Sequence, residues 1–297
     1  MSPPPATTGF KSNTERRDPV EVHYDPTIYR GSAAHYAAGR PPYSPALEET
    51  LVETLGLDGR GRLLDAGCGP GILALRLAYL FEEVVGLDPD PDMLAEAARR
   101  AGDQAITNVS WAQALAEDLP GAAPGPYRLV TFGQSLHWTE EHRVAEVTFD
   151  LLGPGGAIAL IVPTIEGRPQ PSNPGYPPIP HEDLKALVER YLGSNRRSGQ
   201  GWTRTRDHTF QEMLAETRFG SPTVLFAPGP ADLVRDSQSV LSRYFSMTTS
   251  APHLFGDRLE QFAQEARDLL HKRSPAGLFW DWPGDTEIIL ARRPMAD

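Results

Sequence analysis

The sequence predicts an α/β fold: a doubly wound, seven-stranded, mostly parallel sheet carrying an inserted substrate cap. Three observations carry that expectation. From residue 62 onward, short apolar runs alternate with stretches of helical periodicity, the signature of strand-helix-strand units in a parallel sheet. The first run ends in a glycine-rich turn, Gly67-Cys68-Gly69-Pro70-Gly71. After Val162 the alternation breaks into a Pro/Gly/Asn-rich stretch and resumes only near residue 210.

The elements follow in order. Leu63-Leu64 is the first strand, and the glycine turn opens a helix over 72–80. Residues 84–87 form the second strand and 93–101 the next helix, with a third strand at 109–111, a fourth at 128–132, a helix over 140–151 and a fifth strand at 157–162. Right-handed crossovers then place helices on both faces. A helix over 181–192 and a polar loop through 195–207 read as the substrate cap. A short helix at 210–216, a strand at 223–226, helices over 233–245 and 258–271 and a last strand at 286–291 return the chain to the sheet, whose far edge the last two strands close, while 163–207 and the helices from 233 to 271 are expected to shape the acceptor pocket. The organisation expected is a disordered tail (1–20), an N-terminal helical lid (21–60), a cofactor-binding core (61–162), the cap insertion (163–209), and C-terminal helices with the final strands (210–297). The 29 prolines are about twice the usual number, and much of the excess falls in the tail, at Pro41-Pro42 and between residues 163 and 180, where they punctuate folded units.

Bulk properties narrow the function. At 297 residues the chain can bury a substantial core. Its 28 basic and 39 acidic side chains give a formal net charge of -11, which repels a phosphate backbone unless basic residues cluster, and Arg99-Arg100 and Arg196-Arg197 are too short to do so. A small molecule is the expected partner, without nucleic acid. The single cysteine, Cys68, forbids an internal disulfide framework and fits a reducing compartment. Neither a signal-peptide core nor an apolar run of spanning length is visible, so a cytoplasmic protein, monomer or homodimer, is expected, with no membrane partner.

A strand ending in a glycine turn that opens a helix lets backbone N–H groups approach a ligand closely, because glycine has no Cβ. The nicotinamide fingerprint G-x-G-x-x-G would need glycine at position 72, where Ile72 stands; the spacing here is G-x-G-x-G. Asp65 beside the loop suits a ligand carrying an amino group and opposes a pyrophosphate. Asp88, about twenty residues on, ends the second strand where a carboxylate can accept both ribose hydroxyls. A nicotinamide oxidoreductase is therefore the weaker reading of the loop. Asp88, Asp90 and Asp92 alternate as calcium ligands do, but the turn glycine and distal glutamate are missing. The eight histidines show no metal-ligand spacing, and no metal is expected. A G-x-S-x-G elbow is absent, which removes support for hydrolase chemistry.

Leu63-Leu64-Asp65-Ala66-Gly67-Cys68-Gly69-Pro70-Gly71 and Val84-Val85-Gly86-Leu87-Asp88-Pro89-Asp90 resemble the first two motifs of class I S-adenosylmethionine-dependent methyltransferases, whose core is Rossmann-like. Residues Ala116-Glu117-Asp118-Leu119-Pro120 are similar to the third motif, and the segment from Leu129 to Trp138 to the fourth, in its trans-aconitate methyltransferase-like (type 11) branch. His35-Tyr36-Ala37-Ala38-Gly39-Arg40-Pro41-Pro42-Tyr43 resembles the entry segment of that branch, whose tyrosine and arginine lie over the methionine end of the cofactor. The resemblance implies that Tyr36, Arg40, Asp65, Gly67, Cys68, Gly69, Gly71, Asp88, Pro89, Met93, Ala116, Glu117, Gly133, Gln134 and Ser135 hold S-adenosylmethionine, with S-adenosylhomocysteine as product. One departure is Leu115, where the family often has an acidic residue for the adenine amino group; backbone near Ala116 and the Glu117 side chain then take its place. The fourth strand lacks the Asn/Asp-Pro-Pro-aromatic ending that resembles exocyclic-amine methyltransferases of nucleic acids.

Methyl transfer from a sulfonium is an in-line displacement, so alignment and exclusion of water do most of the work, and a base is needed only for a hydroxyl or protonated amine. His137, after the fourth strand at the ligand-binding edge, is the candidate general base, against a purely structural role for His137-Trp138. Tyr24, Tyr29, Tyr36 and Tyr43 crowd the lid, where aromatic faces can attract a sulfonium or simply pack. Arg40 can bind the methionine carboxylate in a bidentate mode. The expected function is methylation of an O, N or C atom of a small molecule such as a carboxylate or secondary-metabolite scaffold; the alternatives are an oxidoreductase and a cofactor-binding protein that transfers nothing.

Overall fold

The structure is a computed structural model that describes residues 24–164, 175–194, 197–198, 201–202 and 208–295. The expected tail at 1–20 and much of the loop at 195–207 lie outside the described residues.

Two helices, α1 (Ala33–Gly39) and α2 (Leu47–Leu55), precede the alternating core of β1 (Arg62–Ala66), α3 (Ile72–Leu77), β2 (Glu83–Asp88), α4 (Pro91–Asp103), β3 (Val109–Gln113), β4 (Tyr127–Gly133), α5 (Glu141–Leu151) and β5 (Leu152–Thr164). There follow α6 (His181–Leu192), the two-residue strands β6 (Arg197–Ser198) and β7 (Gly201–Trp202), α7 (Phe210–Ala215), β8 (Thr223–Ala227), β9 (Val234–Asp236), α8 (Ser237–Phe245), α9 (Leu259–Arg273), β10 (Leu278–Trp280) and β11 (Asp285–Arg292). The main sheet has seven strands in the order β3-β2-β1-β4-β5-β11-β8, parallel from β3 to β5, with β11 antiparallel to both its neighbours. The strand order reverses between β1 and β4, and an open α/β sheet offers its ligand crevice beyond the carboxyl ends of the strands at that point.

Sequence explains the main elements. The apolar runs of β1, β2 and β4 are buried on both faces, as expected where helices cover the sheet on both sides. Leu64, Val85, Val130, Phe132 and Ile158 face a core closed by α5 and α7, while Leu63, Val84, Leu129 and Ala159 face a second core closed by α2 and α3. The start of α4 is fixed by Asp90, whose Oδ1 accepts from the Asp92 and Met93 N–H groups at 2.9 and 3.3 Å, with Pro91 in the first turn. Thr209 and Glu212 form a capping box at α7.

One expectation needs correction. The helix expected over 233–245 begins only at Ser237, since residues 234–236 pair as β9 with β10. Asp236 ends the strand and starts the helix, accepting from the Ser239 N–H at 2.7 Å. The helices α8 and α9 pack together with α6 rather than on the main sheet. Leu184, Leu187 and Tyr191 of α6 share a third core with Val240, Leu241 and Phe245 of α8, Phe262 and Leu270 of α9, and Phe279 of β10. The layer built on α6 thus draws on two separate stretches of chain. No sequence periodicity announces that pairing, because each helix shows only that it has an apolar face.

The lid is joined to that layer. A Cβ on Gly39 would lie 2.3 Å from the Ser242 backbone, so the glycine lets α1 press against α8. Ser32 Oγ donates to the Phe245 carbonyl at 2.7 Å, and Arg40 Nη2 donates to the Ser246 carbonyl at 2.8 Å. Arg235, buried on β9, donates through Nη2 to the Ala38 and Gly39 carbonyls at 2.7 and 2.8 Å, and pairs with buried Asp281 at 3.4 Å.

Candidate active site

The glycine turn leaves β1 at the switch point. Gly67, Gly69 and Gly71 have φ of 68°, 52° and 73°, a region costly for any residue with a Cβ. A Cβ on Gly67 would also meet Ser135 Cβ at 2.4 Å. The turn is bound to β2 by the Gly67 and Cys68 N–H groups, both donating to the Leu87 carbonyl, at 2.7 and 3.0 Å. Cys68 is buried, its thiol pushed well above the ordinary range by burial and by the Asp88 and Asp65 charges.

Asp88, 9% exposed, closes the other side of the turn. Its Oδ2 accepts from the Gly69 N–H at 2.8 Å and its Oδ1 from the Asp90 N–H at 2.9 Å, which leaves a lone pair on each oxygen for a ligand. Burial pushes its carboxyl up to about 6, with those N–H donors opposing the lift. Asp65 is more deeply set. Its Oδ1 accepts from Thr131 Oγ1 at 2.8 Å and its Oδ2 from the Ala74 N–H at 3.0 Å, so it ties β1 to β4 and to α3 while lining the cavity beyond the turn. Burial lifts it to about 7.

That cavity, about 360 Å³, brings together Tyr36, Arg40, Asp65, Gly67, Cys68, Gly69, Gly133 and Gln134 of the expected set. The Arg40 guanidinium stacks 4.7 Å from the Tyr36 ring centroid, and its Nε is buried without a hydrogen-bond partner. An orphaned guanidinium N–H at a cavity wall is a site for an anion. Sequence reasoning missed Arg76 and Arg100, which line the same cavity. Arg100 reaches from α4 to donate to the Pro70 carbonyl at 2.5 Å, and Arg76 pairs with Glu48 and donates to the Tyr43 and Ser44 carbonyls at 3.2 and 2.6 Å. Such arginines carry no local motif; only the fold brings them to the loop.

Other expected residues stand outside that cavity wall. Gly71 packs under the Trp111 ring, and Met93 is buried beneath α4. Pro89 follows Asp88 in the turn to α4. Ser135 Oγ donates to the Ala66 carbonyl at 2.6 Å. Ala116 is buried in the core on the α5 side, and the Glu117 carboxylate accepts from the Glu140 N–H at 2.9 Å at the start of α5. His137, in the 3-10 turn Leu136–Trp138, is exposed, with its ring 4.8 Å from that of Trp138. The Tyr29 ring meets that of Trp138 edge-on at 6.4 Å and that of Tyr36 edge-on at 5.9 Å, so an aromatic chain runs from the end of β4 to α1. Among the described residues no group of three or more His, Cys, Asp or Glu side chains could hold a metal ion.

A glycine turn answered by a carboxylate at the end of β2, on a sheet ordered 3-2-1-4-5-7-6 in the succession of its own strands, defines a class I methyltransferase domain. Residues 63–156 match the family described as methyltransferase domain, so the chain carries a methyltransferase domain over that stretch, similar to those of the trans-aconitate methyltransferase-like branch. It is 35% identical over 144 residues to a trans-aconitate 2-methyltransferase of Mycobacterium tuberculosis, covering 47% of this chain and 48% of that protein. It is 27% identical over 169 residues to a probable S-adenosylmethionine-dependent methyltransferase, CRG1, of Saccharomyces cerevisiae, covering 56% of this chain and 57% of that one. The chain spans about half the length of the curated relatives it matches. Among solved structures, the [4+2]-cyclase SpnF superimposes with a TM-score of 0.50 at 19% identity, covering 91% of this chain and 94% of that one, a likeness of fold alone. The residues present fit the cofactor of this class: the loop leaves space only for glycine at 67, Asp88 keeps acceptor capacity, and Arg40 presents an unpaired donor.

Proposed function

We propose that the protein transfers a methyl group from S-adenosylmethionine to an oxygen, nitrogen or carbon atom of a small organic molecule, of the secondary-metabolite kind. The observation that carries the reading is Asp88, a buried carboxylate already bound to the Gly69 N–H, with one lone pair on each oxygen left for a ribose diol. S-adenosylmethionine supplies an electrophilic methyl on a sulfonium. In this reading Asp88 accepts from the ribose hydroxyls, and the Arg40 Nε donates to the methionine carboxylate. Tyr36, under the Arg40 guanidinium, covers that end of the cavity. The aromatic chain of Tyr29, Tyr36 and Trp138 excludes water beside the transfer. His137 takes the proton when the nucleophile is a hydroxyl or a protonated amine. Backbone near Ala116 serves the adenine, with Glu117 free to help only through the oxygen not bound to Glu140.

The acidic balance of the chain and the relatives named for trans-aconitate favour a small acceptor over nucleic acid. No helix among the described residues is long and apolar enough to cross a membrane; a cytoplasmic enzyme, monomeric or dimeric, completes the proposal. Titration calorimetry with S-adenosylmethionine, S-adenosylhomocysteine and NADH, followed by a turnover screen that detects S-adenosylhomocysteine release across hydroxylated, amino and carboxylate acceptors, tests it. Binding of NADH alone overturns the cofactor assignment. Tight S-adenosylmethionine binding with no release across the screen favours a protein that binds without transferring.

A further inference from the structure

Pro70 is buried and is one of the two central residues of the turn that the Gly71 N–H closes on the Cys68 carbonyl at 3.0 Å. The first helical bond of α3 runs from the Leu75 N–H to the Gly71 carbonyl at 3.1 Å. One residue earlier, the helical pattern would give the Ala74 N–H to the Pro70 carbonyl. That N–H donates instead to Asp65 Oδ2 at 3.0 Å, so the hold of Asp65 on α3 costs the Pro70 carbonyl its helical partner. A buried carbonyl needs another donor.

Arg100 supplies it. Its Nη1 donates to the Pro70 carbonyl at 2.5 Å, a charge-assisted bond across 30 positions of sequence. Ala97, three residues earlier and so on the same face of α4, brings the helix to the turn. A Cβ on Gly71 would lie 3.3 Å from Ala97 Cβ and 2.9 Å from Trp111 Cη2. The same helix begins just past Asp88, whose Oδ2 accepts from the Gly69 N–H at 2.8 Å. Gly69 and Pro70 are therefore held from both sides, the N–H of the first by Asp88 and the carbonyl of the second by Arg100.

We propose that Arg100 is a positioning residue for the cofactor: it replaces the donor that Asp65 has taken, fixes the Pro70 carbonyl, and so keeps the Gly69 N–H on Asp88, where the ribose binds. The ribose part rests on the function proposed above, whereas the hold on the turn does not. Arg100 also lines the cavity, and the competing role is direct contact with the carboxylate of the ligand. The two roles differ in which part of the ligand feels the loss of the guanidinium.

Methylthioadenosine carries the adenine and ribose of S-adenosylhomocysteine but no carboxylate, so calorimetry with both ligands separates the roles. Arg100→Met keeps the apolar stem and removes donor and charge, and both ligands are expected to bind about tenfold more weakly. Arg100→Lys keeps a charge and a donor, and part of the loss returns for both. A loss confined to S-adenosylhomocysteine puts Arg100 on the carboxylate and overturns the proposal, as does a loss for neither ligand. Hydrogen exchange in the ligand-free protein tests the hold without any cofactor: in Arg100→Met, exchange over residues 67–75 quickens while residues 127–133 of β4 keep the parent rate. Unchanged exchange at the turn, or a rise spread evenly over the chain, overturns the hold. If the parent protein binds neither ligand, the cofactor assignment fails and the exchange result alone judges Arg100.

Discussion

Asp88 makes the cofactor assignment measurable by pH alone. A carboxyl raised from 3.8 to about 6 favours its protonated form in the folded protein by about 3 kcal/mol. The sign for stability follows from linkage. The folded state keeps a proton that the unfolded state has lost between pH 3.8 and about 6, so the ligand-free protein is most stable at acid pH with respect to this group and loses that contribution as pH rises to about 6. Cofactor affinity runs the opposite way. A ribose diol needs the carboxylate as acceptor, so binding of S-adenosylhomocysteine is full above pH 7 and falls about tenfold per pH unit well below 6. Binding at pH 6 therefore releases a fraction of a proton, which calorimetry in two buffers of different ionisation enthalpy reads directly. Asp88→Asn is the control: affinity drops at pH 7.5 by the worth of two charge-assisted hydrogen bonds, roughly 3 kcal/mol, and the pH dependence disappears. An affinity that is flat from pH 5 to 7.5 in the parent protein, or no proton release at pH 6, would refute the placement of the ribose on Asp88.

Gly67→Ala forces a Cβ to 2.4 Å from Ser135 Cβ at a φ of 68°. A stability loss of about 1–3 kcal/mol is expected in chemical denaturation, partly recovered by adding Ser135→Gly, and an unchanged midpoint contradicts the steric account. Arg235→Gln strips buried Asp281 of its fully buried partner and removes the donor to the Ala38 and Gly39 carbonyls, and a loss of about 3–5 kcal/mol is expected. A loss under 1 kcal/mol shows that α1 is anchored elsewhere. His137→Ala is expected to leave S-adenosylhomocysteine affinity within about twofold and, with a hydroxyl acceptor, to lower turnover by about 10²–10⁴ with loss of the acid limb of the pH profile. Turnover and profile that survive remove His137 from proton transfer.

The sheet was legible because its signals are local. A strand that is apolar on both faces, a glycine turn and an Asp-Pro helix start each announce themselves within a few residues, as Leu63 to Gly71 and Val84 to Pro91 do. Helix 181–192 is found with the bounds expected. The misread segment, 233–245, fails for a physical reason: β9 is three residues long and is a strand only because β10 lies beside it, some forty residues further on. The site divides in the same way. Gly67 and Asp88 are legible from spacing, whereas the roles of Arg76 and Arg100 exist only once α3 and α4 have been folded beside the glycine turn. Asp65 shows a subtler limit. Its place beside the turn was readable, but both of its oxygens serve Thr131 and Ala74, which sequence could not foresee.

The segment before β1 also ties the cavity beside the glycine turn to the separate layer of α6, α8 and α9. Tyr36 and Arg40 sit on α1 and just beyond it, yet α1 has no strong partner in the glycine turn; its main support is α8, which belongs to the layer of α6 and α9. Arg235 fastens the last carbonyls of α1 to β9, and its charge is balanced by Asp281 just past β10. The family match ends at residue 156, before any of these supports begin. A substitution in α8 or β9 is therefore expected to move Arg40 at the cavity wall as well. Such a substitution should show up as altered affinity for S-adenosylhomocysteine, and an affinity left unchanged shows that Arg40 is held independently of α8.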